Sequence, residues 1–153
     1  MTLTLDLNLP QFSHHRVHCT QASADFSDCG RYRYRLKRRW AQGPSLMFIQ
    51  LNPSTAGADR DDATVRRDVG VALGFGYSAI TALNIYAAKA TQPRDLAAMA
   101  DPIGPDNDAY IDRAAADHDL IVFALRFVKC VGPTCRHEVW PQLVGPGRGP
   151  EGH

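Results

Sequence analysis

The sequence predicts an α/β domain built around a central, mostly parallel sheet. Residues 46–51 and 78–85 are almost entirely apolar and stop at turn residues, which is typical of strands buried on both faces. A helical pattern separates them, and a second helical pattern precedes a third apolar stretch at residues 120–124. This alternation of strands and helices indicates a parallel sheet with right-handed crossovers.

The bulk composition excludes several classes of protein. A chain of 153 residues, 44% of them hydrophobic, fits one globular domain, and a net charge of +1 makes it neither strongly acidic nor strongly basic. No apolar run approaches the roughly 18 residues that a membrane span needs, and the N-terminus has no signal-peptide pattern. We therefore expect a cytoplasmic protein without a membrane partner. The oligomeric state stays open.

The four cysteines do not indicate a metal site or a cofactor. Their spacings are nine and four intervening residues, so neither pair is a CxxC knuckle. Nearby histidines keep zinc binding open, but disulfides are rare in the cytoplasm and we expect free thiols, with no metal and no cofactor. The cysteines are Cys19, Cys29, Cys130 and Cys135.

The chain divides into one predicted domain and a tail. Residues 1–144 form the domain, in which residues 1–28 are an N-terminal strand and loop and residues 29–124 are the core. Alternating leucines at residues 2–9 have the period of a half-buried strand, whereas residues 11–28 have no clear period. Residues 145–153 are rich in glycine and proline, which predicts a disordered tail.

A helix is predicted after the acidic pair Asp61 and Asp62, because either residue suits an N-cap. Three apolar residues follow at four-residue spacing and predict the buried face of this helix, which places Asp68 on the opposite side. The predicted buried residues are Val65, Val69 and Leu73.

Basic and aromatic residues alternate at residues 31–37. In a strand, this alternation puts the basic side chains on one face and the aromatic ones on the other. Such a surface is suited to phosphates and stacked bases. Equally, it suits an edge strand whose charges prevent aggregation. The candidate nucleic-acid-binding residues are Arg31, Arg33, Arg35, Lys37 and Arg38.

Polar residues follow both central strands. Asn52 comes directly after the first strand, and Asn84 closes the second. In an open α/β sheet, ligands bind beyond the carboxyl ends of such strands. The hydroxyl groups after Asn52, with the first N–H groups of the next helix, suit an anion, although the same residues also form ordinary Asx or Ser/Thr turns. The candidate substrate-binding residues are Pro53, Ser54, Thr55, Asn84, Tyr86 and Thr91.

Several of these motifs together resemble domain-of-unknown-function family 1643, an uncharacterised bacterial and phage family. The resemblance covers about residues 32–123 and includes the basic strand, the Asp61-Asp-Ala-Thr-Val-Arg-Arg67 segment, Asn52 and Asn84. More distantly, Phe48-Ile-Gln-Leu-Asn-Pro53 is similar to the strand and Asn-Pro motif of the mismatch-specific branch of the uracil-DNA glycosylase superfamily. Residues 80–84, 90–91 and 95–96 resemble the second segment of that branch, in the same order.

The superfamily resemblance implies a three-layer α/β/α sandwich of uracil-DNA-glycosylase type. It also implies that Asn52 positions the attacking water and that Asn84 faces a base pocket. The chain departs from the superfamily after Leu125, where its last motif is not found and His137 is the nearest candidate. The expected fold therefore has an incomplete C-terminal part.

Three functions follow as expectations. The first is a nucleobase pocket acting on DNA as an N-glycosylase, with Asn52, Asp61 and Asp62 as candidate catalytic residues. The second is a nucleic-acid or nucleotide binding module of the same fold without catalysis. The third is a small hydrolase in which Asp61 or Asp62 activates water or, with Thr64, holds Mg²⁺. Helix capping by an aspartate is the structural alternative for that pair.

Overall fold

A computed structural model describes residues 17–125, which form a mixed α/β fold around a five-stranded sheet. The elements are β1 (Gln21–Phe26), β2 (Arg33–Arg39), β3 (Ser45–Gln50), α1 (Ala63–Gly74), β4 (Ala79–Asn84), α2 (Pro93–Leu96), α3 (Asn107–Ala116) and β5 (Ile121–Phe123). Across the sheet the strands lie in the order β1-β2-β4-β3-β5. The strand predicted at residues 2–9 and the tail at 145–153 lie outside the described residues.

The sheet has two parallel and two antiparallel pairings. Strand β3 pairs parallel with β4 and β5, whereas β2 pairs antiparallel with β1 and β4. The predicted mostly parallel sheet is therefore wrong for half of the pairings. For β1 and β2 the reason is a hairpin: a turn at residues 27–32, closed by a 3.1 Å bond from Ser27 N to Tyr32 O, joins them, and a short turn can only connect antiparallel strands.

Strand β1 was predicted as loop, and this prediction is wrong. Most of its side chains are exposed or half-exposed, so it has no buried stripe that could produce an apolar period in the sequence. Its backbone nevertheless pairs with β2 along its length, from Arg39 to Arg33, with Tyr34 skipped. The strand is thus defined by its neighbour rather than by its own side chains.

Helices pack against both faces of β3, as its continuous apolar run predicted. Leu46 and Phe48 belong to a cluster with Val65 and other residues of α1, whereas Met47 and Ile49 pack with residues of α3. Successive side chains of a strand point to opposite faces, so these two clusters lie on opposite sides of the sheet.

Helix α1 begins after Asp62, which is its N-cap as the sequence predicted. The predicted exposure of Asp68 is wrong, because this side chain is only 5% exposed. Val65, Asp68, Val69 and Ala72 follow the i, i+3, i+4, i+7 spacing of one helical stripe. Asp68 therefore shares the core-facing stripe with three apolar residues.

The predicted third buried strand is only partly correct. Strand β5 has three residues and, among residues 17–125, pairs only with β3. Its side chains are half-buried or exposed.

The structure also bears on the predicted free thiols and on the predicted absence of a membrane-spanning segment. Cys19 and Cys29 are free, whereas Cys130 and Cys135 lie outside the described residues. Between residues 17 and 125, no helix combines the length and the apolar character that crossing a bilayer requires.

Candidate functional site

The carboxyl ends of β3 and β4 lie side by side. Gln50 and Asn84 are partners in the parallel register, and the pairing continues beyond the strands through bonds from Ile85 N to Gln50 O and from Tyr86 N to Leu51 O. The polar residues after β3 and those closing β4 therefore meet at one edge of the sheet. This edge is the candidate site.

Asn84 is one of the predicted site residues that are almost completely buried. Its side chain is 1% exposed, and its Oδ1 accepts a 3.4 Å hydrogen bond from Arg33 Nη2. Its Nδ2 has no hydrogen-bond partner among residues 17–125. Asn107, at the start of α3, fixes the backbone here by donating from Nδ2 to the carbonyl oxygens of Asn84 and Ile85. Asn84 therefore keeps a free donor in a rigid, buried position.

Asn52 is half-buried at the same edge but makes different contacts. Its Nδ2 lies 3.3 Å from both Pro53 O and Ala90 O. The amide therefore ties the end of β3 to the segment that follows β4. Asn52 and Asn84 share the edge through the backbone register rather than through a direct hydrogen bond.

Strand β2 does not have the fully basic face that strict alternation predicts. Its register against β1 shifts between Asp25 and Phe26, so that Phe26 faces Arg33 and Tyr34 is skipped. A bulge of this kind changes which side chains share a face. As a result Arg33 and Arg38, which alternation places on opposite faces, both point toward the loop at residues 53–62.

The predicted nucleic-acid-binding residues are thus divided. Arg33 and Arg38 are buried, and Arg35 forms a half-exposed ion pair with Asp25 at 2.6 Å. Only Arg31 and Lys37 are exposed. The bulge removes Arg33 from the face of Arg35 and Lys37, and Arg38 lies on the other face by regular alternation, so the five residues do not form one continuous basic surface.

Arg33 and Arg38 donate hydrogen bonds to the loop at residues 53–62. Arg33 Nη1 donates to Ala56 O at 2.8 Å and lies 3.5 Å from Ser54 Oγ. Arg38 donates to Gly57 O at 2.6 Å and to Asp61 Oδ1 at 2.7 Å. Arg33 links the loop to Asn84, because its two terminal nitrogens donate to Ala56 O and to Asn84 Oδ1.

Asp61 and Asp62 are both engaged in structural contacts. Asp61 is the ion-pair partner of Arg38, and Asp62 accepts from the backbone N–H groups of Ala56, Thr64 and Val65. Burial alone would raise the pKa of Asp62, but these bonds and one from Ser54 outweigh it and hold the pKa below its ordinary value. The carboxylate of Asp62 therefore occupies the position at which Ser54, Thr55 and the helix N–H groups were predicted to bind an anion.

The other predicted site residues differ in exposure. Pro53 is buried, Tyr86 is half-buried, and Thr55 and Thr91 are exposed. Beside the loop is an open cleft of about 350 Å³. It is lined by Thr55, Arg60, Asp61, Asp62, Ala63 and Arg66.

Gln50 and Asp68 belong to the site but were missed by the sequence analysis. Gln50 Nε2 donates to Asp68 Oδ2 at 2.7 Å, and both side chains are buried. Burial raises the pKa of Asp68 from 3.8 to about 7, against the opposing effect of the Gln50 hydrogen bond. The signal was available in the sequence, because Asp68 interrupts an apolar helical stripe and Gln50 interrupts an apolar strand.

A second cleft, of about 430 Å³, lies at the opposite ends of β3 and β4. In it His118 Nδ1 donates to Ala114 O at 2.6 Å, since a carbonyl oxygen can only accept, and Nε2 lies 3.0 Å from Thr81 Oγ1. These bonds fasten the end of α3 to the sheet.

The described residues include no group of three histidine, cysteine or acidic side chains placed to hold a metal ion. Comparison with curated proteins gave no match, and comparison with solved structures gave none either. One family model matches, that of the proteins of unknown function DUF1643, over residues 33–132. The match covers more than half of the chain and agrees with the resemblance seen in the sequence motifs. The chain belongs to the DUF1643 family.

Proposed function

We propose that the edge formed by β3 and β4 is a nucleobase pocket and that the protein is a DNA N-glycosylase of uracil-DNA-glycosylase type. The single observation that carries this proposal is the buried, unpartnered Nδ2 of Asn84 at the end of β4. A buried donor without a partner is costly, and such groups occur where a ligand or a water completes the bond. The carbonyl oxygen of a flipped base would complete it.

The packing of α1 and α3 against opposite faces of the sheet supports the three-layer arrangement of that superfamily as part of the proposal. The position of Asn52 also supports it, because Asn52 follows β3 at the same edge as Asn84. Asn84 is 1% exposed and is linked to residues 53–62 through Arg33, so a base reaches it only when the surrounding residues rearrange.

In the proposed reaction a water held near Asn52 attacks the C1′ carbon of the sugar. A C1′–O bond forms, the C1′–N bond breaks, and its electron pair leaves with the base as an anion. The departing base takes up the proton that the water loses. Asn52 orients the water but cannot accept its proton near neutral pH, so the reaction depends on stabilising the anionic base.

The proposal is tested by measuring base excision on duplexes containing uracil, mismatched thymine or modified bases. We expect cleavage by the wild-type chain to fall at least about 100-fold in Asn52→Ala and Asn84→Ala, because each variant removes a group that orients the reaction. Gln21→Ala, an exposed amide on β1, is the matched control and should retain full activity.

Absence of excision across the whole panel would contradict the proposal. Salt-dependent DNA binding without excision would instead favour the non-catalytic binding module. Cleavage of another substrate that stops on adding a chelator would favour the hydrolase that uses Asp61 or Asp62.

A further inference from the structure

Arg33 is a buried cation without an acidic partner among residues 17–125. Its side chain is 1% exposed, and the two ion pairs in this part of the chain belong to other arginines, Arg35 and Arg38. Burial lowers the pKa of Arg33 to about 10, so the guanidinium is still charged at neutral pH. The charges of Asp62 and Asp68 partly offset this lowering, but neither carboxylate forms an ion pair with Arg33, and a buried guanidinium with unpaired donors is costly.

The hydrogen bonds of Arg33 do not satisfy it. Its closest acceptor is the neutral carbonyl of Ala56, and the contacts with Asn84 Oδ1 and Ser54 Oγ are long, at 3.4 and 3.5 Å. Its Nε has no partner among the described residues. The Nδ2 of the adjoining Asn84 has none either. The two contacting side chains therefore present two free N–H donors, which suit a ligand with hydrogen-bond acceptors. Because Arg33 is positively charged, a negatively charged ligand suits the position best.

We infer that Arg33 and Asn84 form an anion subsite next to residues 53–62, which takes a ligand carrying a negatively charged oxygen or an ionised ring. The inference rests on the proposed function for its location and deepens it by stating the charge of the ligand. In the proposed reaction the departing base is such an anion, and Arg33 is the group that stabilises it.

Asp68 makes the affinity of this subsite depend on pH. The groups around its carboxyl are Gln50 on β3, Asp62 at the N-cap, Arg67 on its own helix and Arg33 on β2. Burial and the charge of Asp62 raise the pKa of Asp68, the hydrogen bond from Gln50 and the charges of Arg67 and Arg33 lower it, and the result is about 7. A bound anion adds negative charge near Asp68 and raises this pKa further. Binding therefore favours the protonated carboxyl and weakens as the pH rises through 7.

The test is isothermal titration calorimetry of the full chain with three probes. Orotate is an anionic pyrimidine, uracil is its neutral counterpart, and inorganic phosphate is an anion without a ring. We expect at least one of the two anions to bind at least about tenfold more tightly than uracil at pH 6, and to lose at least about threefold in affinity by pH 8. The charge of orotate is on its carboxylate, so tighter binding of orotate would show that the site takes an anionic oxygen carried by a pyrimidine, and tighter binding of phosphate that it takes a free oxyanion.

Two variants locate the site. Arg33→Met should weaken anion binding by at least about tenfold, and Asp68→Asn should abolish the pH dependence of orotate binding while keeping binding, because the charge of orotate is constant between pH 6 and 8. Arg113→Met, an exposed arginine on α3, is the control and should bind as the wild type does. If circular dichroism shows that Arg33→Met is unfolded, the pH profile of Asp68→Asn decides.

The inference is overturned if neither anion binds at pH 6, or if the pH profile of Asp68→Asn equals that of the wild type. The result also separates the two proposals. Anion binding as described without base excision would sink the glycosylase proposal alone. Excision without anion binding would sink the subsite alone.

Discussion

Replacing Arg38 by methionine is expected to lower the free energy of unfolding by about 3 kcal/mol, the lower end of the range for a broken buried ion pair. The side chain of Arg38 is 2% exposed, whereas that of its partner Asp61 is 35% exposed and can regain water. The variant also removes the donors to Gly57 O and Lys37 O. Urea unfolding followed by circular dichroism measures the loss.

Arg35→Met is the matched control for this experiment. Arg35 pairs with Asp25 at 2.6 Å, and both side chains are about one-third exposed. An ion pair this accessible contributes about 0 to 1 kcal/mol. Equal losses in the two variants would show that Arg38 is not the buried anchor of the loop at residues 53–62.

Asp68→Asn is expected to stabilise the protein at pH 8 by about 4 kcal/mol. The folded-state pKa of Asp68 is raised from 3.8 to about 7, so folding disfavours the ionised form. The protonated carboxyl makes its full contribution to the free energy of unfolding below pH 3.8, and this contribution is lost as the pH rises through 7. Asparagine stays neutral and retains an oxygen that accepts from Gln50 Nε2.

The pH profile of the gain distinguishes this explanation from a general packing effect. The stabilisation should shrink to about 1 to 2 kcal/mol at pH 5 and vanish below about pH 4, as measured by urea unfolding at each pH. Asp112→Asn, an exposed carboxylate on α3, should change stability by less than about 0.5 kcal/mol. A gain in Asp68→Asn that is equal at pH 5 and pH 8 would contradict a buried carboxyl with a raised pKa.

The unit made of β3, α1 and β4 was predictable because its signals are local. Continuous apolar runs indicate strands buried on both faces, and Asp62 starts α1 by capping it. The meeting of the two asparagines at one edge follows from the parallel pairing of those strands. The position of Asn52 and Asn84 at one edge of the sheet could therefore be predicted from the order of strands and helices alone.

The remaining features depend on contacts between distant residues. Strand β1 has no apolar stripe, so only its pairing with β2 defines it. The bulge in β2 turns Arg33 inward, and a shift of one residue leaves no trace in the alternation of residue types. Asp68 could have been recognised as a polar residue in an apolar stripe, but its raised pKa arises from burial that only the folded chain creates.

A crystal structure of the full chain soaked with orotate tests most directly whether a nucleobase lies against Asn84 and Arg33. The soak uses a concentration at which calorimetry shows saturation. We expect density for the ring at the end of β4, with an oxygen within hydrogen-bond distance of Asn84 Nδ2, another beside Arg33 Nε, and residues 53–62 displaced. Density confined to the opposite cleft beside Thr81 and His118, or Asn84 and Arg33 unchanged at saturation, would contradict a nucleobase pocket at this edge.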